Sequence, residues 1–371
     1  MAEVTNYIDR LVAELCPDGV EYRPLGELLA YEQPTKYLVS SKDYDESYPT
    51  PVLTAGKTFI LGYTDETEGI YPASEEEPVI IFDDFTTAFK WVEFPFKAKS
   101  SAMKMLTLKS GTNSLFKFKY VYYAMQCIVY NSSDHARQWI SKYSNIEIPV
   151  PPIEIQEAIV EILDKFTNLE AELEAELEAR TLQYEYYRDS LFEALDCPRV
   201  PLDSFAKIKN GKTYKDFGPG NIPVYGSGGI MTYVDRFAYD KPTVLIPRKG
   251  SLGNLFYLEE PFWNVDTIFY TEIDEEQVIP KFLYYFLRTA HLEDLNTAGG
   301  VPSLTQKVLN KVLVPVPSLD EQQRIVDILD RFDALTTSLS EGLPAELVAR
   351  RSQYEYYRDQ LLTFPRKGEN Q

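Results

Sequence analysis

From Ile155 onward, apolar side chains recur at three- and four-residue spacing: Ile155, Ile159, Ile162, Leu163, Phe166, Leu169, Leu173 and Leu177, with acids on the other faces. That is the period of an amphipathic helix. Prolines 149, 151 and 152 impose an extended lead-in and stop whatever comes before. Some forty residues at 1.5 Å rise predict a rod of roughly 60 Å. The pattern then returns. Ile148–Phe166, IPVPPIEIQEAIVEILDKF, reappears 166 positions later as VPVPSLDEQQRIVDILDRF at Val314–Phe332. QYEYYRD at Gln183–Asp189 reappears letter for letter at Gln353–Asp359, now shifted by 170, so the second copy carries a four-residue insertion within SEGLPAE. Gly342 and Pro344 are expected to break or restart the second helix there. Two helices this long predict an antiparallel, coiled-coil-like spacer.

Between the helices lie two segments of similar length, 17–148 and 198–314, rich in Tyr, Phe, Val and Pro/Gly turns and read as mixed β structure with some helix. They match each other faintly: TPVLTAGK (Thr50–Lys57) with IPVYGSGG (Ile222–Gly229), PVIIFDD (Pro78–Asp84) with TVLIPRK (Thr243–Lys249), and KYVYYAM (Lys119–Met125) with KFLYYFL (Lys281–Leu287). The opening NYIDRLVAELCP (Asn6–Pro17) resembles YYRDSLFEALDCP (Tyr186–Pro198), the end of the first long helix. A chain whose start imitates a helix end predicts a circular, pseudo-two-fold arrangement with its two ends close together.

Charge first argues against a nucleic-acid binder, because the formal net charge is −20 and phosphate contacts need cations. Its distribution reverses that inference. Residues 153–196 hold thirteen acids against three bases, and 318–363 hold nine against five, so the helices carry −14 of the −20. Conversely, 89–119 holds seven lysines against the single acid Glu93, and Lys207, Lys209, Lys212, Lys215, Arg248 and Lys249 form a second basic cluster. Cys16, Cys127 and Cys197 lack CxxC spacing, and with only His135 and His291 to assist they make a poor zinc set. The longest apolar runs fall far below a membrane span of ~20 residues, and the opening lacks the pattern of a signal peptide, so a cytoplasmic location is expected. NGKT at Asn210–Thr213 ends like a phosphate loop, but Ala206 stands where that motif needs glycine. Asp83, Asp84, Glu93 and Lys97 are too loosely spaced for a metal nuclease.

The doubled PxPPxxEQxxIVxxLD pattern, the QYEYYRD tails and the LCPDGVEYRPLGEL opening at Leu15–Leu28 resemble type I restriction–modification specificity subunits across essentially the whole chain. The resemblance implies an α+β chain in four parts. These are a target recognition domain over 1–148 (with an N-terminal helix at about 3–15), a conserved helical region over 149–197, a second recognition domain over 198–314 and a second helical region over 315–371. It implies a non-catalytic DNA-binding subunit for a split, asymmetric target. Two methyltransferase (modification) subunits using S-adenosylmethionine would methylate adenine N6, and motor-nuclease (restriction) subunits using ATP and Mg would cleave DNA in phage defence. This chain itself would bind no cofactor or metal. Its two unlike readers on one frame should each see a different half-site of double-stranded DNA, at a separation the rod keeps within about two duplex turns.

Candidate base and phosphate contacts follow from donor and acceptor chemistry. In the second segment they are Lys209, Asn210, Lys212, Thr213, Tyr225, Ser227, Arg248, Lys249, Ser251 and Asn254. In the first they are Thr54, Lys57, Asp83, Asp84, Thr86, Thr87 and Lys90, with Lys97, Lys99 and Lys104 on phosphate. The first segment has FDDF (Phe82–Phe85) where the second has PRKG, and an Asp there could accept from cytosine N4. Tyr184, Tyr186, Tyr187, Arg188, Tyr354, Tyr356, Tyr357 and Arg358 are candidate partner-docking residues. Two rival classes are a self-contained methyltransferase or nuclease, whose binding motifs are missing, and a scaffold that binds only protein, which leaves the unlike basic segments unexplained.

Overall fold

The computed structural model describes residues 2–56, 58–111, 115–130, 136–296, 303–337 and 342–368. The chain divides into two compact units: Met1–Ala171 with Ala349–Gln371, and Glu172–Val348. In chain order the first unit contains α1 (Ala2–Leu15), β1 (Glu21–Pro24), α2 (Leu25–Leu28), β2 (Leu29–Glu32), β3 (Thr50–Leu53), β4 (Ile60–Thr64), β5 (Val79–Asp83) and β6 (Phe89–Val92). It continues with β7 (Lys97–Ala98), β8 (Met103–Leu108), α3 (Phe118–Gln126) and β9 (Glu147–Val150). The 41-residue helix α4 (Ile153–Glu193) starts in the first unit and ends in the second. The second unit follows with β10 (Arg199–Pro201), β11 (Ala206–Asn210), β12 (Ile222–Gly226), β13 (Gly229–Val234), β14 (Thr243–Pro247), β15 (Phe256–Leu258), β16 (Trp263–Asn264) and β17 (Ile268–Ile273). It closes with α5 (Pro280–Leu287), α6 (Gln306–Leu309), β18 (Leu313–Pro315) and α7 (Leu319–Thr337), and α8 (Gly342–Leu361) lies mostly in the first unit.

The two units repeat one topology strand for strand. The first has sheets ordered β2-β8-β5-β6, β4-β3-β7 and β1-β9, and the second has β11-β17-β14-β15, β13-β12-β16 and β10-β18. Even the irregularities match: β3–β4 shifts register at Val52/Leu53 and β12–β13 at Val224/Tyr225. β5 and β14 are continuous apolar runs because both faces are covered. Ile80 and Phe82 join the cluster against the helices, and Val79 and Ile81 join the opposite one. In β14, Val244 and Ile246 face the helices and Leu245 the other side.

The repeated PxPP…Q…D motif shows its purpose at the joint between globule and helix. Gln156 is fully buried. Its Oε1 accepts from Lys117 N (3.0 Å), and its Nε2 donates to Pro151 O (2.7 Å) and Leu115 O (3.2 Å). Gln322, also fully buried, accepts from Ile279 N (2.8 Å) and donates to Pro317 O (3.0 Å) and Gln277 O (2.9 Å). Two turns further along, Tyr123 donates to Asp164 (2.5 Å) and Lys119 pairs with it (3.1 Å). Tyr285 and Lys281 treat Asp330 in the same way, at 2.5 and 2.8 Å.

Each QYEYYRD tail packs against the helix start of the other copy. Phe166 lies 5.8 Å from Tyr357 in the first unit, and Phe332 lies 5.8 Å from Tyr187 in the second. Helix α7 ends at Thr337, and α8 resumes at Gly342, whose φ of 75° and contacts with Ala334 O and Leu335 O leave no room for a side chain. Thus α4 is continuous while its counterpart is broken, as the Gly342 and Pro344 signals predict. The end of the first unit meets its beginning: Val20 N donates to Pro365 O (2.8 Å) and Lys367 N to Val20 O (3.0 Å). No described helix is long and apolar enough to cross a membrane.

Candidate DNA interface

In the second unit the turn after β16 ties together three loops that are distant in sequence. Asn264 O accepts from Lys212 N (2.9 Å), Tyr225 O accepts from Val265 N (2.9 Å), and Thr267 O accepts from Arg248 N (2.8 Å). Thr267 Oγ1 accepts from Ser227 N (3.3 Å), and Asn254 Nδ2 donates to Ser227 O (3.1 Å). Gly211 is required here, because a Cβ would collide with Val265 O. The outcome is one surface on which Asn210, Lys212, Thr213, Lys249, Ser251 and Asn254 are exposed, with Ser227 half-buried. Those side chains offer donors and acceptors of the kind that read base edges and phosphate. Thr267 and Asn264 organise the surface, and the sequence reading missed both, since neither lies in a basic or Gly-rich motif.

Three other candidates in this unit are engaged within the fold. Lys209 pairs with Glu272 across β11–β17 (3.2 Å). Tyr225 packs on Phe256 at 5.5 Å, and burial pushes its phenol up. Arg248 is half-buried with its guanidinium 5.8 Å from the Phe269 ring.

The first unit requires more correction. Lys104 and Asp84 are both 0 % exposed and pair with each other at 3.1 Å. Asp84 Oδ1 also accepts from Trp139 N (2.8 Å). Lys97 is buried, pairing with Glu66 (2.6 Å) and donating to Glu68 O (2.6 Å). Lys99 is half-buried and donates to the Tyr44 hydroxyl (2.7 Å). The expectation that Lys97 and Lys104 touch phosphate, and that Asp84 reads a base, is therefore corrected: burying these charges requires partners inside the protein, and they have them. Asp83 is half-buried, with Oδ1 accepting from Phe85 N (2.9 Å) and Thr86 N (2.8 Å). The Thr54 hydroxyl donates to Thr58 O (2.5 Å). Phe85, Thr86 and Lys90 are exposed and Thr87 is half-buried with φ 60°. Lys57 lies outside the described residues.

The structure also shifts the correspondence between FDDF and PRKG by one residue. Asp84 N donates to Ala102 O (3.0 Å) and its O accepts from Gln138 N (2.8 Å); Arg248 N donates to Thr267 O (2.8 Å) and its O accepts from Leu304 N (2.8 Å). Phe82 faces Lys104 across its sheet, as Ile246 faces Phe269. Asp84 thus occupies the place of Arg248, and Phe85 that of Lys249. Matching the letters had put Val79 against Val244, which point to opposite sides of their sheets, and a one-residue slip reverses every side chain.

The eight docking candidates do not share one environment. Tyr184 and Arg188 are 2 % and 8 % exposed. Arg288 donates to the Tyr184 hydroxyl (3.1 Å). Tyr354 donates to Gln126 (2.6 Å), and Arg358 sits 5.7 Å from the Tyr354 ring. Tyr357 and Tyr187 stack on Phe166 and Phe332. Tyr186 and Tyr356 are 70 % and 59 % exposed, each ring edge-on to its neighbour Tyr187 or Tyr357. The expectation that all eight face a partner is corrected for Tyr184 and Arg188, which the helix turns inward, while Tyr187 stays 44 % exposed beside its stacking contact. Among the described residues, no three His, Cys, Asp or Glu side chains are grouped to hold a metal ion.

The family model described as "Type I restriction modification DNA specificity domain" matches residues 17–179 and again 196–349. The specificity subunit of the EcoR124I/EcoR124II type I restriction enzyme of Escherichia coli is 43% identical over 97% of this chain and 98% of its own. A putative type I specificity subunit of Haemophilus influenzae is 29% identical over 93% and 96% of the two chains. The fold resembles the crystal structure of a type I S subunit from M. genitalium, with a TM-score of 0.58 at 19% identity over 93% of this chain and 96% of that one. With the domain matched twice, once in each of two globules of one topology, this chain belongs to the type I restriction–modification specificity subunits, the non-catalytic DNA-specificity component of those systems.

Proposed function

We propose that this subunit reads a bipartite, asymmetric DNA target, one half-site per globule, and so directs adenine-N6 methylation and ATP-dependent cleavage by partner subunits in the cytoplasm. The observation that carries the reading is a single strand topology used twice with unlike exposed loops. Two readers of one frame and different chemistry suit two different half-sites. The recognition domains are taken as 1–148 and 198–314 and the helical regions as 149–197 and 315–371. In the second domain Asn210, Lys212, Thr213, Ser227, Lys249, Ser251 and Asn254 contact DNA, with Arg248 supporting them from a half-buried position. In the first, Thr86, Thr87 and Lys90 do so.

The helical regions act as an antiparallel spacer on a pseudo-two-fold axis. In support, Phe166 and Glu170 meet Tyr357 and Arg351 in opposite chain order, Glu170–Arg351 at 2.5 Å. Two methyltransferase subunits dock on the exposed tyrosine ends, and motor-nuclease subunits complete the complex. The test is single-molecule methylation sequencing of host DNA with the gene intact and deleted while the methyltransferase partner is expressed. Loss of methyladenine at one split motif is expected. Unchanged methylation would overturn the reading in favour of a protein-only scaffold. Replacing 200–314 by another recognition domain should then change one half of the motif only.

A further inference from the structure

The hairpin between β5 and β6 presents an unusual tip. Its polar groups point back into the protein: the Asp83 carboxylate holds the amides of Phe85 (2.9 Å) and Thr86 (2.8 Å), and Thr87 N donates to Asp83 O (2.9 Å). Asp84 is locked below by Lys104 (3.1 Å) and by the Trp139 amide (2.8 Å). What remains outside is Phe85, a ring 40 % exposed, flanked by Thr86 and Thr87. It follows Asp84 as Lys249 follows Arg248, and the backbone N–H and C=O of those two preceding residues are bonded alike in the two globules.

A large apolar side chain on a braced loop is costly to leave in water. Holding it there makes sense when its partner is apolar and also sits in a groove. Thymine supplies such a group, because its C5-methyl is the one apolar feature of the base edges in the major groove. Lys249 at the same place is suited instead to guanine O6/N7 or phosphate.

We propose that Phe85 is a specificity-determining residue of the first globule that recognises a thymine 5-methyl group in the half-site this globule reads. The inference rests on the proposed DNA-reading role of the globules. It places one difference between the two half-sites at this position, where a ring replaces an ammonium group.

The test uses the assembled methyltransferase complex and duplexes carrying the methylated motif, with each thymine of the first half-site replaced in turn by deoxyuridine, which lacks only the methyl group. The wild-type complex should bind one such duplex about fourfold more weakly, the factor for one buried methyl-sized group. The Phe85→Ala complex should bind the thymine duplex more weakly by a similar factor and be indifferent to deoxyuridine. Equal sensitivity of both complexes to every replacement, or a first half-site without an A·T pair, overturns the inference. Lys249→Ala separates the two levels. If it alters recognition of the second half-site while Phe85→Ala alters nothing, only the thymine contact falls. If neither variant alters either half-site, the DNA-reading role of these loops falls with it.

Discussion

The two globules share strand order, register shifts and joint, yet they solve the corner after the central strand in opposite ways. In the first, Asp84 and Lys104 form a fully buried ion pair; in the second, half-buried Arg248 lies over Phe269. The backbone hydrogen bonds on either side are the same, so the frame does not require either solution. The frame is held by the joint and the core, and the corner is free to vary. Variation at the corner then passes directly to the next residue, Phe85 or Lys249, which faces outward in both.

The sharpest way to break this comparison is to remove one member from each corner. Lys104→Met strands the Asp84 carboxylate in the core and should cost about 3–5 kcal/mol. Arg248→Met removes a partly exposed cation–π contact and should cost about 1 kcal/mol. Urea titration of the two variants checks the ratio. Combining Lys104→Met with Asp84→Leu should recover only part of the loss, because the apolar pair carries no desolvation penalty but leaves the Trp139 amide without its buried acceptor. Equal costs at the two corners would show that the ion pair is not desolvated as its burial implies.

The joint makes the opposite prediction, that the units respond alike. Gln156→Leu and Gln322→Leu each leave one backbone amide and two carbonyls without their buried partner. Each should lower stability by about 2 kcal/mol, with protection against amide exchange lost first in the unit that carries the change. A difference between them much beyond 1 kcal/mol would mean that the duplicated motif has diverged in role despite matching geometry.

Much of this was legible in the chain because it is written twice. The 166-residue shift announced the long helices, and KYVYYAM against KFLYYFL aligned two segments that fall in the counterpart helices α3 and α5. The candidate surface was less legible, for a physical reason. Which lysines are free depends on what the sheets bring beside them, and Lys97 and Lys104 find Glu66 and Asp84 only through tertiary pairing. The correspondence of the corner loops depends on which face of a strand each residue occupies, which letters do not display when both faces are apolar. Phe85 went unnoticed because an aromatic residue in a β-rich chain ordinarily reads as core.

Alkaline pH offers a gentler contrast. Burial raises the phenol of Tyr184 to about 12, with Arg288 pulling it back down, and burial likewise raises its counterpart Tyr354. Arg188 and Arg358 lie 5.7 Å from these two rings; Arg288 donates to the Tyr184 hydroxyl where Tyr354 has neutral Gln126, and Tyr122, Cys127 and Glu170 push Tyr354 further up. Below the ordinary phenol value of about 10, both states keep the proton and stability is unaffected. Above it the unfolded chain releases protons that the folded chain retains, so stability falls as pH rises toward 12. Tyrosinate absorbance of single Tyr→Phe variants should show Tyr184 ionising before Tyr354. Arg288→Gln should narrow that gap, and an unchanged gap would assign it to something other than this guanidinium.

The smallest effect on folding is expected where the helix ends are most alike. Tyr186 and Tyr356 are 70 % and 59 % exposed, so alanine at either should change stability by no more than about 0.5 kcal/mol. If these rings anchor methyltransferase subunits, each substitution should still weaken one docking event by about tenfold, the usual scale for a buried aromatic anchor. Titrating the purified subunit with its methyltransferase partner separates the cases. Two equal losses, one per variant, would mean that the repeated QYEYYRD tails serve as equivalent docking ends even though the globules read different DNA. Loss at one end alone would carry the asymmetry of the readers into the helices. Full affinity in both variants would confine the function of the tails to the inward contacts of Tyr184, Tyr187, Tyr354 and Tyr357.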